Sequence, residues 1–319
     1  APQLFGGTKG SHFLTHQPAL CDAVAGQGIY AEAEDGRLVF VLPLAGGVMV
    51  GTTDERFEGD PDQAIASEPE LDYLLEMTND LFPQVNLTRD DIEMHCAGVR
   101  PLPKADESKT STISRDHSIH VSEQAGTPIL TLVGGKLTTA RAFGETVADE
   151  VLSRLQISRT RDSRDRVFPG GENYPSPGEL PKVWYELAKQ HNRTQTQVQA
   201  MWALCGTRVR EFLSSSDGGV PTPLLGTELP RDFVKWIIET EWVQTLDDLI
   251  ERRLMLVYHP RLSVECVRQL TELLVEAGRM SSEEIDNKIA GTVSRLHSIY
   301  GKTVHLESAT DHFANSPSQ

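Results

Sequence analysis

The chain has 319 residues, 39% hydrophobic and 24% charged, which excludes a disordered chain and suits two folded domains. Thirty Lys and Arg against 46 Asp and Glu leave a net charge of −16. That excludes a general nucleic-acid binder with its basic surface, but not a small anion held by a few local cations. Cys21, Cys96, Cys205 and Cys266 form no CxxC pair or metal spacing, so a reduced cytosolic setting is the default. No apolar run reaches the ~18 residues of a membrane span, and the first thirty residues lack a signal-peptide pattern. The chain opens on Ala1-Pro2-Gln3 without a methionine and soon becomes strand-like, so it reads as a segment of a longer protein.

The first 155 residues carry strand and turn signals. Gly28 to Glu34 and Arg37 to Leu44 are predicted strands joined by the Asp35-Gly36 turn. Ala45-Gly46-Gly47 turns into a third strand, Val48 to Thr52, which makes an antiparallel meander. Ser67 to Phe82 is predicted helical, with Ser67 and Glu70 as a capping box and Leu71, Leu74, Leu75, Thr78 and Phe82 at helical spacing. Strands are predicted at Asp91 to Val99 and Ile113 to Val121, with a loop over Lys104 to Thr112 between them. Pro128 to Val133 is a short strand that stops at Gly134-Gly135, and Leu137 to Leu155 is a helix. Residues 159–180, with alternating Arg and Asp and then Pro and Gly, are expected as a solvated linker. From Pro181 onward the pattern is helical, with capping signals at Thr245/Asp248 and Ser281/Glu284 and a stop at Gly301. The last dozen residues are polar and expected to fray.

Two nucleotide-like motifs fail their context. Gly26-Gln27-Gly28-Ile29-Tyr30-Ala31 fits G-x-G-x-x-A, but a hairpin follows where a helix is needed. Gly135-Lys136 lacks the Walker glycine at Leu130 and the hydroxyl at Leu137. The run Gly134-Gly135-Lys136-Leu137-Thr138-Thr139 still has physical content. Glycines allow close backbone approach, a helix start offers N–H groups and a positive dipole end, and Lys136 adds a charge. A capped helix start with a solvated lysine is the plainer alternative. Pro101 holds Arg100 extended at the end of an apolar strand, where its fork can grip a phosphate or carboxylate or simply sit at a sheet edge. Arg115 can reach a substrate or pair with Asp116 or another acid. His12 lies near a strand start, where a lone histidine is more often structural. His117 and His120 would face opposite sides of a strand and share no metal. Trp184, Trp202, Trp236 and Trp242 read as core or interface anchors.

Several motifs occur in one order: Lys9-Gly10-Ser11-His12, Phe40-Val41-Leu42-Pro43, Val50-Gly51-Thr52-Thr53-Asp54, Gly59-Asp60-Pro61 and Thr88-Arg89-Asp90-Asp91-Ile92. Gly98-Val99-Arg100-Pro101-Leu102, Ser114-Arg115-Asp116 and Gly134 to Thr139 with Arg141 follow. Glu241-Trp242-Val243, Asp247-Asp248 and Arg252-Arg253 continue the series. Over residues 5–300 the chain resembles the FAD-dependent glycerol-3-phosphate dehydrogenases, with the related oxidases close behind.

The resemblance implies an α+β fold: a partial FAD/substrate domain with an antiparallel sheet and a strand–Gly-Gly–helix element, then an all-α C-terminal domain. Residues 1–158 would hold the substrate sheet and the returning part of the FAD domain, and 181–319 the helical domain. The family's N-terminal G-x-G-x-x-G loop is absent from this sequence. The chain therefore resembles the C-terminal portion of such an enzyme, and in isolation it is expected to be inactive. The implied reaction is oxidation of sn-glycerol 3-phosphate to dihydroxyacetone phosphate by hydride transfer to flavin, with electrons passing to a quinone. Arg100 and Lys136 would be catalytic and bind substrate, Arg115 would take the phosphate, and His12 would lie near the substrate or flavin face. Gly134, Gly135, Lys136, Leu137 and Thr138 would contact FAD, with the helix from Lys136 aimed at the flavin pyrimidine ring. The implied setting is the cytoplasm, peripheral on the inner membrane face, with no nucleic-acid partner and room for a homo-oligomer. The alternatives are an oxidase that uses oxygen and a non-catalytic assembly or regulatory fragment.

Overall fold

The structure, a computed structural model, describes residues 4–33, 36–104, 113–134, 136–216 and 222–306. It divides into two compact units, Ala1–Arg166 and Val167–Gln319.

The first unit is built on strand β1 (Gly7–Thr15). After a short helix α1 (Pro18–Val24), strands β2 (Ile29–Glu32), β3 (Leu38–Leu44) and β4 (Gly47–Gly51) form the expected meander. β4 lies antiparallel against the second half of β1, and β5 (Glu55–Phe57) against the first half. β6 (Met94–Arg100) runs antiparallel along the opposite edge of β1. One edge of β1 is thus shared by two strands interrupted at Thr52–Asp54. The sequence pattern predicts neither α1 nor β5. α1 did have a local signal: Gln17 accepts the Leu20 N–H at 2.9 Å and Pro18 occupies the first turn.

Alternation along β1 gives the sheet two chemically different faces. Phe13 joins Val39, Val41, Val48 and Val50 in a core closed by Leu20 and Val24 of α1 and by Leu71, Leu74 and Leu75 of helix α2 (Glu68–Leu81). Each such side chain contributes about 1.5–3 kcal/mol by burial. Gly10 and His12 lie on the other face. The Ser67–Glu70 capping box that the sequence predicts is present at the start of α2.

Three predicted elements shift. Residues 89–91 form a capped 3₁₀ turn, so β6 begins at Met94, after Thr88 and Asp91 have tied off the backbone locally. Strand β7 begins at Ser118, which leaves Arg115 and His117 in the preceding irregular segment. β7 (Ser118–Gln124) and β8 (Thr127–Val133) pair with each other as a separate antiparallel hairpin. Beyond Gly134, Leu137–Thr139 is a 3₁₀ turn, and helix α3 (Ala140–Arg154) begins later than Leu137 because Thr139 closes onto Lys136. Residues 105–112 of the predicted loop, and Asp35 of the predicted turn, lie outside the described residues.

Residues 159–180 do not behave as a free connection. Arg159 pairs with Glu145 and, at 3.1 Å, with Asp149 of α3. Gly170 takes the Thr207 N–H on its carbonyl at 2.9 Å, and Tyr174 accepts the Trp202 indole N–H at 2.8 Å.

The second unit contains α4 (Leu180–Gln190), α5 (Gln195–Cys205), α6 (Val209–Ser215), α7 (Arg231–Thr240), α8 (Val264–Glu276) and α9 (Ile285–Tyr300). Asp248–Arg253 forms a π-helical turn capped from Thr245. Its charges make the i,i+4 pair Asp248–Arg252 and a pair between Asp247 and Arg295. Gly301 ends α9 in the left-handed region. Trp202 is buried, but Trp242 is 87% exposed and anchors no core. The predicted fraying tail from residue 307 onward is outside the described residues. Among the described residues no helix is long and apolar enough to cross a membrane.

Candidate functional site

The interruption between β4 and β5 makes the site. A regular ladder would continue β4 opposite β1, but Thr52, Thr53 and Asp54 leave that path. The Ser11 N–H is instead accepted by the Thr53 hydroxyl at 2.9 Å. Asp54 and Thr52 are thereby presented on the face that carries Gly10 and His12.

Arg100 ends β6 and extends its guanidinium across β1 into the gap. It donates to Asp54 Oδ1 at 2.9 Å, Thr52 Oγ1 at 3.1 Å and the Thr53 carbonyl at 3.3 Å. The crossing depends on Gly10, because a β-carbon there would collide with the Arg100 guanidinium and the Thr52 hydroxyl. Asp54 also pairs with Arg115 at 3.6 Å. One carboxylate thus bridges two arginines, leaving a local excess of positive charge on an acidic chain. Burial lowers the Arg100 pKa, Asp54 opposes that shift, and Arg115 adds to it.

His12 lies over Gly51 of β4. Burial first, and then the Arg100 charge, lowers its pKa below the usual histidine value. Its imidazole is neutral near neutral pH, and among the described residues neither ring nitrogen has a hydrogen-bond partner. A neutral imidazole beside a cation can accept a proton.

Gly134 sits at the end of β8 with φ of 73°, donates its N–H to the Pro101 carbonyl at 2.9 Å, and lies against Asp116. A side chain would be strained in that backbone and would meet the Asp116 carbonyl. The turn is therefore fastened to the residue after Arg100. Lys136, Leu137 and Thr138 are exposed, and Leu137 is 94% exposed. Among the described residues no group pairs with the Lys136 ammonium. Gly135 lies outside the described residues. Arg141 is committed to Glu145 and Ser163, at 3.0 and 2.9 Å.

An open cavity of about 860 Å³ borders β1, β5 and the end of β6. Its lining includes Arg56, Arg100 and Lys104 against one carboxylate, Glu58, with Phe57 and Val99, a net basic and partly apolar wall that suits an anionic ligand.

The structure therefore unites Arg100, Arg115 and His12 among the predicted site residues and ties the Gly134 turn to their base. It leaves Lys136, Leu137 and Thr138 on an open surface. Asp54, Thr52 and Gly10 were part of recognised motifs but carried no predicted role. No local spacing links them to Arg100.

A family profile described as FAD dependent oxidoreductase matches residues 2–149. The chain belongs to the FAD-dependent oxidoreductase family. That stretch contains every element of the site just described. Among relatives in this family, the glycerol-3-phosphate dehydrogenase of Synechocystis sp. is 34% identical over 258 residues, 78% of this chain and 45% of that protein. The D-erythritol 1-phosphate dehydrogenase of Brucella abortus is 29% identical over 263 residues, 77% of this chain and 48% of that protein. The X-ray structure of the glycerol-3-phosphate dehydrogenase from Bacillus halodurans, complexed with FAD, superposes with a TM-score of 0.70. It is 24% identical, with 92% of this chain and 57% of that one covered, and the likeness establishes the α+β fold. The chain spans about half the length of the relatives it matches.

Proposed function

We propose that this chain supplies the substrate-binding face and part of the flavin contact of an FAD-dependent dehydrogenase that oxidises sn-glycerol 3-phosphate to dihydroxyacetone phosphate. The observation that carries the reading is the pair Arg100 and Arg115 held on one carboxylate, Asp54, beside a neutral His12. Two guanidinium groups on one face suit a phosphate dianion, which each can bind through paired N–H donors. The relatives act on phosphorylated polyols by name, and this supports the same substrate class here.

The residues of the glycine turn fit a flavin. Gly134 allows close approach, and the exposed start offers the N–H groups of Leu137 and Thr138, the Thr138 hydroxyl and the Lys136 cation, while the Lys136 N–H is taken by Thr139. When bound, FAD supplies the hydride acceptor. Positive charge at Lys136 and the helix start would favour electron density arriving there. Arg115 and Arg100 would orient the phosphorylated substrate, and Arg100 would stabilise negative charge developing on its C2 oxygen. His12 would take the C2 hydroxyl proton, a role that its depressed pKa supports. Quinone is the acceptor we propose for the electrons, by a membrane-peripheral enzyme in the cytoplasm.

The test is oxidation of sn-glycerol 3-phosphate by the protein as it occurs in the cell, measured with an artificial electron acceptor beside D-erythritol 1-phosphate and unphosphorylated glycerol. Arg100→Ala and Lys136→Ala should each lower kcat/KM about 100-fold or more with flavin absorbance retained. Unchanged kinetics in both variants, or equal turnover of glycerol, would overturn the assignment. Supplying quinone and oxygen separately then decides the acceptor.

A further inference from the structure

Beneath the candidate site, on the core face of the sheet, a carboxylate is buried without being part of the proposed chemistry. Glu70 is 1% exposed. One of its oxygens accepts the hydroxyls of Ser11 at 2.8 Å and Thr53 at 2.7 Å. The other receives Lys9 Nζ at 2.6 Å and both the N–H and hydroxyl of Ser67, at 2.9 and 2.8 Å. Thr53, also 1% exposed, is where this network meets the site. Its hydroxyl points to Glu70 and accepts the Ser11 N–H, while its carbonyl faces the other way and accepts from Arg100 and from the Thr52 hydroxyl at 3.0 Å.

We propose that Glu70 and Thr53 are positioning residues for Arg100: the core carboxylate clamps the Thr52–Asp54 interruption through the Thr53 hydroxyl, and the clamped turn fixes the guanidinium on the opposite face. The geometry favours this over a purely structural role. Two adjacent strands, β4 and β5, lose their ladder at this turn, where the backbone bond to β1 is a long one, Thr53 N–H to the Ser11 carbonyl at 3.4 Å, so the shorter side-chain bonds of Thr53 add to its hold. The turn's three residues accept all three guanidinium hydrogen bonds of Arg100 seen among the described residues. A guanidinium held by a preorganised frame loses less freedom on binding an anion. The inference rests on the reading of Arg100 as a substrate ligand.

The experiment is steady-state kinetics on the intact flavin-loaded enzyme with sn-glycerol 3-phosphate. Thr53→Val removes the hydroxyl at nearly constant shape, and Thr53→Ser restores it. Ser67→Ala disturbs the same carboxylate from the helix side without touching the turn. Thr53→Val should raise KM about tenfold, the scale of one displaced charge-assisted contact. Thr53→Ser should stay within about twofold, and Ser67→Ala should leave KM unchanged while lowering the melting temperature comparably. The proposal is overturned by an unchanged KM in Thr53→Val, or by Ser67→Ala raising KM as much. If Thr53→Val does not fold, Thr53→Ala carries the same comparison. Arg100→Lys separates the two ideas. If it too leaves KM and kcat unchanged, the substrate reading fails. If it impairs both while Thr53→Val does nothing, only the positioning role fails.

Discussion

The six-stranded sheet and the β7–β8 hairpin with α3 belong to the same unit and are stabilised very differently. Around β1 the strands are covered by α1 and α2, and Phe13, Leu20, Val39, Val41, Val50 and Leu74 are almost completely buried. In the hairpin and α3, among the described residues, Val133 and Phe143 are buried, and Phe143 stacks on His117. Val121, Ile129, Leu132, Leu137, Val151 and Leu155 remain exposed. Val121 and Leu132 share one face of the hairpin and Ile129 lies on the other, so apolar surface is left open on both faces. It borders the turn proposed to meet the flavin. The sheet around β1 therefore holds Arg100 and His12 by its own core. The hairpin and helix carry the Gly134 turn on a support with few buried side chains among the described residues.

The largest expected effect is in the sheet. Leu74→Ala should cost about 2–5 kcal/mol, measured by denaturant unfolding, since Leu74 is fully buried. An equal cost for Leu132→Ala in the hairpin would break the comparison.

Acid should expose the next difference. Burial opposes ionisation of Glu70, but Lys9, the Ser67 N–H, Thr53 and the Ser67 hydroxyl outweigh it and bring the pKa down to about 2. A carboxylate lowered in the folded state stabilises above its unfolded pKa. That contribution is lost as pH falls from about 4.5 through about 2, with a size of about 3 kcal/mol. Glu70→Gln should flatten this part of the stability–pH curve, and an unaltered acid limb would contradict the network.

Gly134→Ala should cost about 1–2 kcal/mol through its left-handed backbone, and hydrogen exchange should show the loss confined to the hairpin and its link to Pro101. Uniform loss of protection throughout the sheet would show that the two regions unfold together. The smallest effect is expected at Leu137→Ser, within about 0.5 kcal/mol for this chain, because the side chain is already in solvent. In the flavin-loaded enzyme the same change should weaken flavin retention, measured by release on dilution, and an unaltered release rate would remove Leu137 from the cofactor contacts.

Activity adds a pH test of the site itself. The lowered pKa of His12 places the acid limb of kcat/KM below the ordinary histidine value of 6.5. His12→Gln should abolish that limb, and its persistence would assign the proton to another group.

Much of the fold was legible because its signals are short-range. The Ser67–Glu70 and Ser281–Glu284 boxes, the Gly301 stop and the Ala45-Gly46 turn each lie within a few residues, and all occur. The expected strand–turn–helix element is present as β8, the Gly134 turn and α3. That its strand pairs with β7 in a separate hairpin is not legible, because periodicity does not specify pairing partners. Of the site, residue types were legible and their company was not. Arg100 is separated by 46 residues from Asp54 and meets it through two strands on opposite edges of β1.

Glu70 shows where the boundary falls. By itself the sequence determined that Glu70 caps a helix, since Ser67 is three residues away and the capping geometry is local. Only the tertiary structure decided that its second oxygen takes Thr53 and Ser11, and that the turn so held meets Arg100. A carboxylate has acceptor sites for several donors. Chain neighbours fill the near ones, and only the packing of α2 beneath β1 brings the rest within reach.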